Sequence, residues 1–109
     1  MNSILVAEDD RPTRILLSQR LKAAHFSVTT AKDGAEALAL LEKKRFDLLL
    51  LDIWMPRVNG LEVLARLKDS PSRPRVVVMT ADNTPETLLR AVREQAYHYI
   101  TKPVEPKAL

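Results

Sequence analysis

Four short apolar runs punctuate this chain, and each ends on a polar residue. Ile4-Leu5-Val6-Ala7 runs into Glu8-Asp9-Asp10, and Leu48-Leu49-Leu50-Leu51 into Asp52. Val76-Val77-Val78-Met79 runs into Thr80, and Tyr97-His98-Tyr99-Ile100 passes through Thr101 into Lys102-Pro103. Runs of this length, rich in Val, Ile and Leu and lacking polar alternation, predict strands buried on both faces of a parallel sheet. A fifth, shorter strand is expected from Phe26 to Thr30. Helical stripes fill the intervals: Leu17, Leu21 and Ala24; Ala37, Leu38 and Leu41; Leu61, Leu64 and Leu67; then Leu88, Leu89 and Val92. Pro12 reads as a first helical residue and Thr84-Pro85-Glu86 as a capped helix start. Lys43-Lys44-Arg45 suits the negative end of a helix dipole. The only two glycines, Gly34 and Gly60, read as turn residues. Strands alternating with helices predict an α/β sandwich of three layers with right-handed crossovers. Pro106 suits the start of a fifth helix, but the sequence stops at Leu109. The expectation is one domain over residues 1–109 with that helix largely missing, leaving the sheet uncovered near Leu5 and Val77.

Composition narrows the classes. At 46% hydrophobic the chain can bury a core, and it has no cysteine for a disulfide or thiolate metal site. No apolar run approaches the roughly 20 residues of a membrane span. Met1-Asn2-Ser3 enters the first strand at once, so no signal peptide is expected and a cytoplasmic location is. The formal charge is +3, but the basic residues are scattered along the sequence without interleaved aromatic rings. They read as solvated helix faces, and direct nucleic-acid binding by this domain is not expected. His25 and His98 lack ligand spacing.

The polar residues at the strand ends carry the chemistry. In a parallel sheet all carboxyl ends share one edge, where ligands bind. Carboxylates, a hydroxyl and an ammonium are therefore brought together. Mg2+ takes hard oxygen ligands, commonly one or two carboxylates with phosphate and water. A carboxylate such as Asp52 can also attack phosphorus and form an aspartyl phosphate. Singly, each residue has a plain structural explanation, such as a helix cap or a turn. An Asp ending a four-leucine run is harder to explain that way, because an uncompensated buried carboxylate is costly.

The segments ILVAEDDRPTR, DLLLLDIWMPRVNGLEVL, VVVMTA and YITKP, in this order, resemble the receiver domain of bacterial two-component response regulators, the chemotaxis regulators among them. The resemblance covers essentially the whole chain. It implies a flavodoxin-like sheet in strand order 2-1-3-4-5. It implies that Asp52 is the phosphoacceptor, with Thr80 as switch hydroxyl and Lys102 as phosphate-binding lysine. Pro103 would follow a cis peptide bond, Tyr99 would be the switch aromatic, and the Trp54 carbonyl a metal ligand. The family carries an arginine or similar residue five positions after its second acid. Arg14 thereby selects Glu8 and Asp9 as the acidic pair, with Asp10 as a helix-start residue; Asp9 with Asp10 is the alternative. The implied cofactor is Mg2+ or Mn2+. The implied partners are a sensor histidine kinase or phosphotransfer protein, a downstream effector domain or protein, and a second copy through the face of the fourth helix and fifth strand. The implied activity is a phosphoacceptor switch that assists its own phosphorylation and dephosphorylation, not a turnover enzyme. Two rivals are a degenerate receiver that docks partners without phosphorylation and an Mg2+-dependent aspartyl-phosphate phosphatase. The phosphatases usually place a second acid two residues after the nucleophile, where this chain has Trp54. The chain departs from the family at Gln95-Ala96-Tyr97-His98, where Gly-Ala-Asp-Asp is usual, and at Val104, where Phe is common.

Overall fold

A computed structural model describes residues 3–52, 60–67, 74–80 and 98–101, with the backbone path alone for Thr80 and 98–101. The elements are β1 (Ser3–Ala7), α1 (Arg11–Ala23), β2 (Ser27–Ala31), α2 (Gly34–Lys43), β3 (Leu48–Asp52), α3 (Gly60–Leu67), β4 (Arg75–Thr80) and β5 (His98–Thr101). The strands form one sheet in the order β2-β1-β3-β4-β5, and every neighbouring pair is parallel. This is the flavodoxin-like order that the resemblance implies. The helix expected from Thr84 and the start of a fifth at Pro106 lie outside the described residues.

Three of the four apolar runs became the central strands β1, β3 and β4, because both of their faces are covered; the fourth forms the edge strand β5. Leu5, Leu49 and Val76 stand in one row across the sheet, and Val6, Leu50 and Val77 in the next. Period-two geometry sends these rows to opposite faces. The first row joins Ala37 of α2 and Leu61, Val63, Leu64 and Leu67 of α3 in one cluster. The second joins Leu17 and Leu21 of α1. Helices thus lie on both sides of the sheet, which makes three layers. β2 is an edge strand, and its Ser27-Val28-Thr29-Thr30 stretch is only partly buried. That half-solvated position explains why no continuous apolar run marks it.

Several expectations are corrected. Leu5 and Val77 lie on opposite faces and are 0% and 8% exposed, so neither marks an uncovered patch. Gly34 and Gly60 are the first residues of α2 and α3, and no described glycine has a positive φ. Asp33, just before Gly34, is the N-cap of α2: its side chain accepts from the Glu36 N–H at 2.7 Å. The Glu36 carboxylate reaches back to the Lys32 N–H at 3.1 Å, so the two acids secure the helix start reciprocally. Pro12 is the second residue of α1, one place later than read, which is tolerated because that N–H has no helical partner either.

The end of α1 shows a device that the sequence did not announce. His25 takes φ 72°, the only positive φ among described non-glycine residues. Its N–H bonds the Lys22 carbonyl at 3.0 Å, and the Phe26 N–H bonds the Leu21 carbonyl at 3.1 Å. This is a Schellman termination with histidine in the left-handed position usually given to glycine. Phe26 then packs on the cluster containing Leu21, which turns the chain into β2.

Candidate metal and phosphoryl site

Strand order places the site. From β1 the chain goes by α1 to β2 on one side, and from β2 by α2 to β3 on the other. The helices that follow β1 and β3, α1 and α3, pack on opposite faces of the sheet, so the strand order reverses between these two strands. Such reversals of strand order are where open α/β sheets bind ligands. Ala7 pairs with Leu51, so one step further along each strand Glu8 stands opposite Asp52.

Glu8, Asp9 and Asp52 converge there, each offering a carboxylate oxygen within 4.8 Å of the others. Glu8 is 0% exposed and Asp52 3%, whereas Asp9 faces solvent. Like charges this close and this dry repel strongly, and a cation relieves the repulsion. The donor set fits a hard divalent ion. Around Mg2+, with oxygens about 2.1 Å away, opposite ligands stand about 4.2 Å apart; Ca2+ spans slightly more. One small ion therefore fits among these three carboxylates.

The β1–α1 junction holds its acids from the main chain. The Glu8 N–H continues the ladder to the Ala31 carbonyl at 3.0 Å. The Glu8 Oε2 atom accepts from the Asp10 N–H at 3.2 Å. Asp10 is the N-cap of α1: its Oδ2 accepts from the Thr13 N–H at 3.2 Å and from the Thr13 hydroxyl. Asp10 thus serves the helix start, where the dipole also favours its charge. Arg14 Nη1 donates to the Glu8 carbonyl at 2.9 Å and the Asp9 carbonyl at 3.3 Å. The sequence offered Arg14 only as a register mark. The signal for this further role is its place one turn into α1, within reach of the strand end it follows.

The other expected site residues are placed as far as the backbone reaches. Thr80 ends β4, one residue beyond Met79, which stands opposite Asp52. Thr80 pairs with Thr101, the residue before Lys102, and Tyr99 pairs with Val78 in β5. Lys102, Trp54 and Pro103 lie outside the described residues. The carboxyl ends of β1, β3, β4 and β5 share one edge, as the four runs predicted.

A doubly wound α/β domain with an acidic trio at its switch point defines a class, and comparison with known proteins defines the family. The model of the response regulator receiver domain matches residues 4–109, and the chain belongs to that family. It is similar to the transcriptional regulatory protein CpxR of Klebsiella pneumoniae subsp. pneumoniae (strain HS11286), with 38% identity over 109 residues, 100% of this chain and 46% of that protein. The chain therefore spans about half the length of that relative. Its fold is similar to the chemotaxis protein CheY4 of Vibrio cholerae, with TM-score 0.92, 29% identity, and coverage of 98% of this chain and 91% of that one. A response regulator from Burkholderia pseudomallei, solved with a phosphorylated aspartic acid, a calcium ion and citrate, matches with TM-score 0.90 and 26% identity over 99% of this chain and 64% of that one. Among the described residues, no helix is long and apolar enough to cross a membrane.

Proposed function

We propose that residues 1–109 form one receiver domain in which Asp52 accepts a phosphoryl group from a phosphohistidine of a sensor kinase or phosphotransfer protein. The single observation that carries this reading is the meeting of the Glu8, Asp9 and Asp52 carboxylates within 4.8 Å at the sheet edge. A carboxylate oxygen of Asp52 attacks phosphorus, the P–N bond to the donor imidazole breaks, and that nitrogen keeps the electron pair. Glu8, Asp9 and Asp52 hold Mg2+ or Mn2+, joined by the Trp54 carbonyl. When bound, the ion supplies positive charge against the carboxylate and phosphoryl oxygens. Thr80 and Lys102, from the ends of β4 and β5, then bind phosphoryl oxygens. Tyr99 follows them inward, and the face around β5 repacks. That altered face meets a downstream effector domain or protein, or a second copy of the chain. Hydrolysis of the acyl phosphate by water resets the switch, so the domain acts as a phosphoacceptor and not as a turnover enzyme. A cytoplasmic site of action follows from this partnership.

The Burkholderia relative supports the reading, since its structure contains a phosphorylated aspartic acid and a cation. The test is intact-mass analysis after incubation with acetyl phosphate, with Mg2+ and with EDTA. Wild type should gain one phosphoryl mass only with Mg2+, and Asp52→Asn should gain none while staying folded. An equal adduct on Asp52→Asn sinks the assignment. Steady turnover of the donor without an adduct indicates a phosphatase. A chain inert under both conditions is a docking module.

A further inference from the structure

We propose that Arg14 is a positioning residue of the metal site, setting Mg2+ affinity through the main chain between Glu8 and Asp9 and not through its charge. The inference rests on the metal-site reading above. A guanidinium beside three carboxylates would ordinarily be expected to pair with one of them and so compete with a metal. Here Nη1 donates instead to two successive main-chain carbonyls, those of Glu8 and Asp9. Those carbonyls belong to the two residues whose side chains enter the acidic trio.

The surrounding contacts show why this matters. β1 ends at Ala7, and α1 begins at Arg11. Only three residues join them, and the first two carry the metal-facing acids. Glu8 is tied to β2 by its N–H, and its carboxylate is oriented by the Asp10 N–H. Asp10 is held by Thr13. Asp9 has an exposed side chain, and its carbonyl accepts from Arg14 Nη1. Arg14 therefore restrains the carbonyl end of the peptide unit after Asp9, whose N–H end the Glu8 carboxylate holds, and so helps to set how Asp9 is presented to the trio. Contacts that orient a ligand from behind commonly change metal affinity by about 10–100-fold when removed.

Charge and position predict opposite signs, so the experiment is decisive. Removing a cation next to an acidic site strengthens attraction for Mg2+. Removing a main-chain restraint weakens binding, because the acids must be ordered when the ion arrives. Titrate Mg2+ alone into wild type, Arg14→Met and Arg11→Met by calorimetry, and measure urea midpoints in EDTA. Arg11, exposed in the same turn, is the charge control. The expected result is about tenfold weaker binding in Arg14→Met, with unchanged or tighter binding in Arg11→Met. Equal or tighter binding in Arg14→Met overturns the proposal, as does equal weakening in both variants. Should Arg14→Met not fold, Arg14→Lys replaces it: weaker binding than wild type is expected, and equal binding overturns the proposal. If wild type binds no Mg2+ at all, the metal-site reading fails and takes this inference with it. That outcome is distinct from a wild type that binds and an Arg14→Met that binds equally well.

Discussion

At the β1–α1 junction two adjacent aspartates face different demands. Asp9 turns into the acidic trio, and Asp10 satisfies the first N–H groups of α1. Asp10→Ala should therefore lower unfolding free energy by about 1 kcal/mol, the usual effect of losing a cap. It should leave most Mg2+-dependent stabilisation in place. Asp9→Ala should do the reverse, removing most of the Mg2+ effect at small expense to the EDTA-treated fold. Thermal-shift titrations of both variants check this. If Asp10→Ala proves the more damaging to Mg2+ binding, the metal pair is Asp9 with Asp10. His25 poses a second residue-scale question. Its left-handed backbone at φ 72° is unfavourable for a residue with a Cβ. His25→Gly should remove that strain, less the extra freedom glycine has when unfolded, for a net gain of about 0.5–1 kcal/mol. The urea midpoint should rise with its slope unchanged; a fall would show that the imidazole contributes more than the strain removes.

Among the elements, α3 has the most one-sided dependence on burial. It is eight residues long, too short to be stable by propensity alone. Leu61, Val63, Leu64 and Leu67 all lie in the cluster under β1, β3 and β4. Packing against the sheet therefore holds this helix. Leu64→Ala should lower stability by about 2–5 kcal/mol, a large part of the roughly 5–15 kcal/mol typical of a domain. Chemical denaturation would measure it, and a loss below 1 kcal/mol would mean that the site collapses around the smaller side chain. The helical stripe Leu61, Leu64, Leu67 was readable from spacing. Val63 was not, because its burial comes from the width of the sheet beneath the helix and not from the helix period. α2 depends more on its ends, where Asp33 and Glu36 exchange bonds with the main chain.

For the molecule as a whole, the carboxyl edge sets stability against function. Two buried carboxylates and one exposed one share a small volume, and the fold must hold them together in any state. On the proposed reading, a divalent cation binds the native cluster and not the unfolded chain. Stability should then rise with free Mg2+, by about 2.7 kcal/mol at a hundred times the dissociation constant. EDTA should reverse the gain, and Asp52→Asn should raise stability in EDTA by removing one repelling charge. A thermal midpoint insensitive to Mg2+ would falsify the metal assignment. The order and type of the elements were legible in the sequence, since apolar runs and helical stripes follow from burial and backbone period alone. So was the presence of Glu8, Asp9, Asp52 and Thr80 at one edge, because parallel strands all end on the same side. Three things were decided only in three dimensions. Which acids meet depends on the register that sets Glu8 opposite Asp52, and register arises between strands. That Asp33 and Gly34 begin a helix instead of making a turn depends on the bond to Glu36 and on burial against the sheet. That Arg14 grips two carbonyls depends on how α1 folds back over the end of β1. Local sequence carries the periodicities; contacts between residues on different elements exist only once the sheet has assembled them.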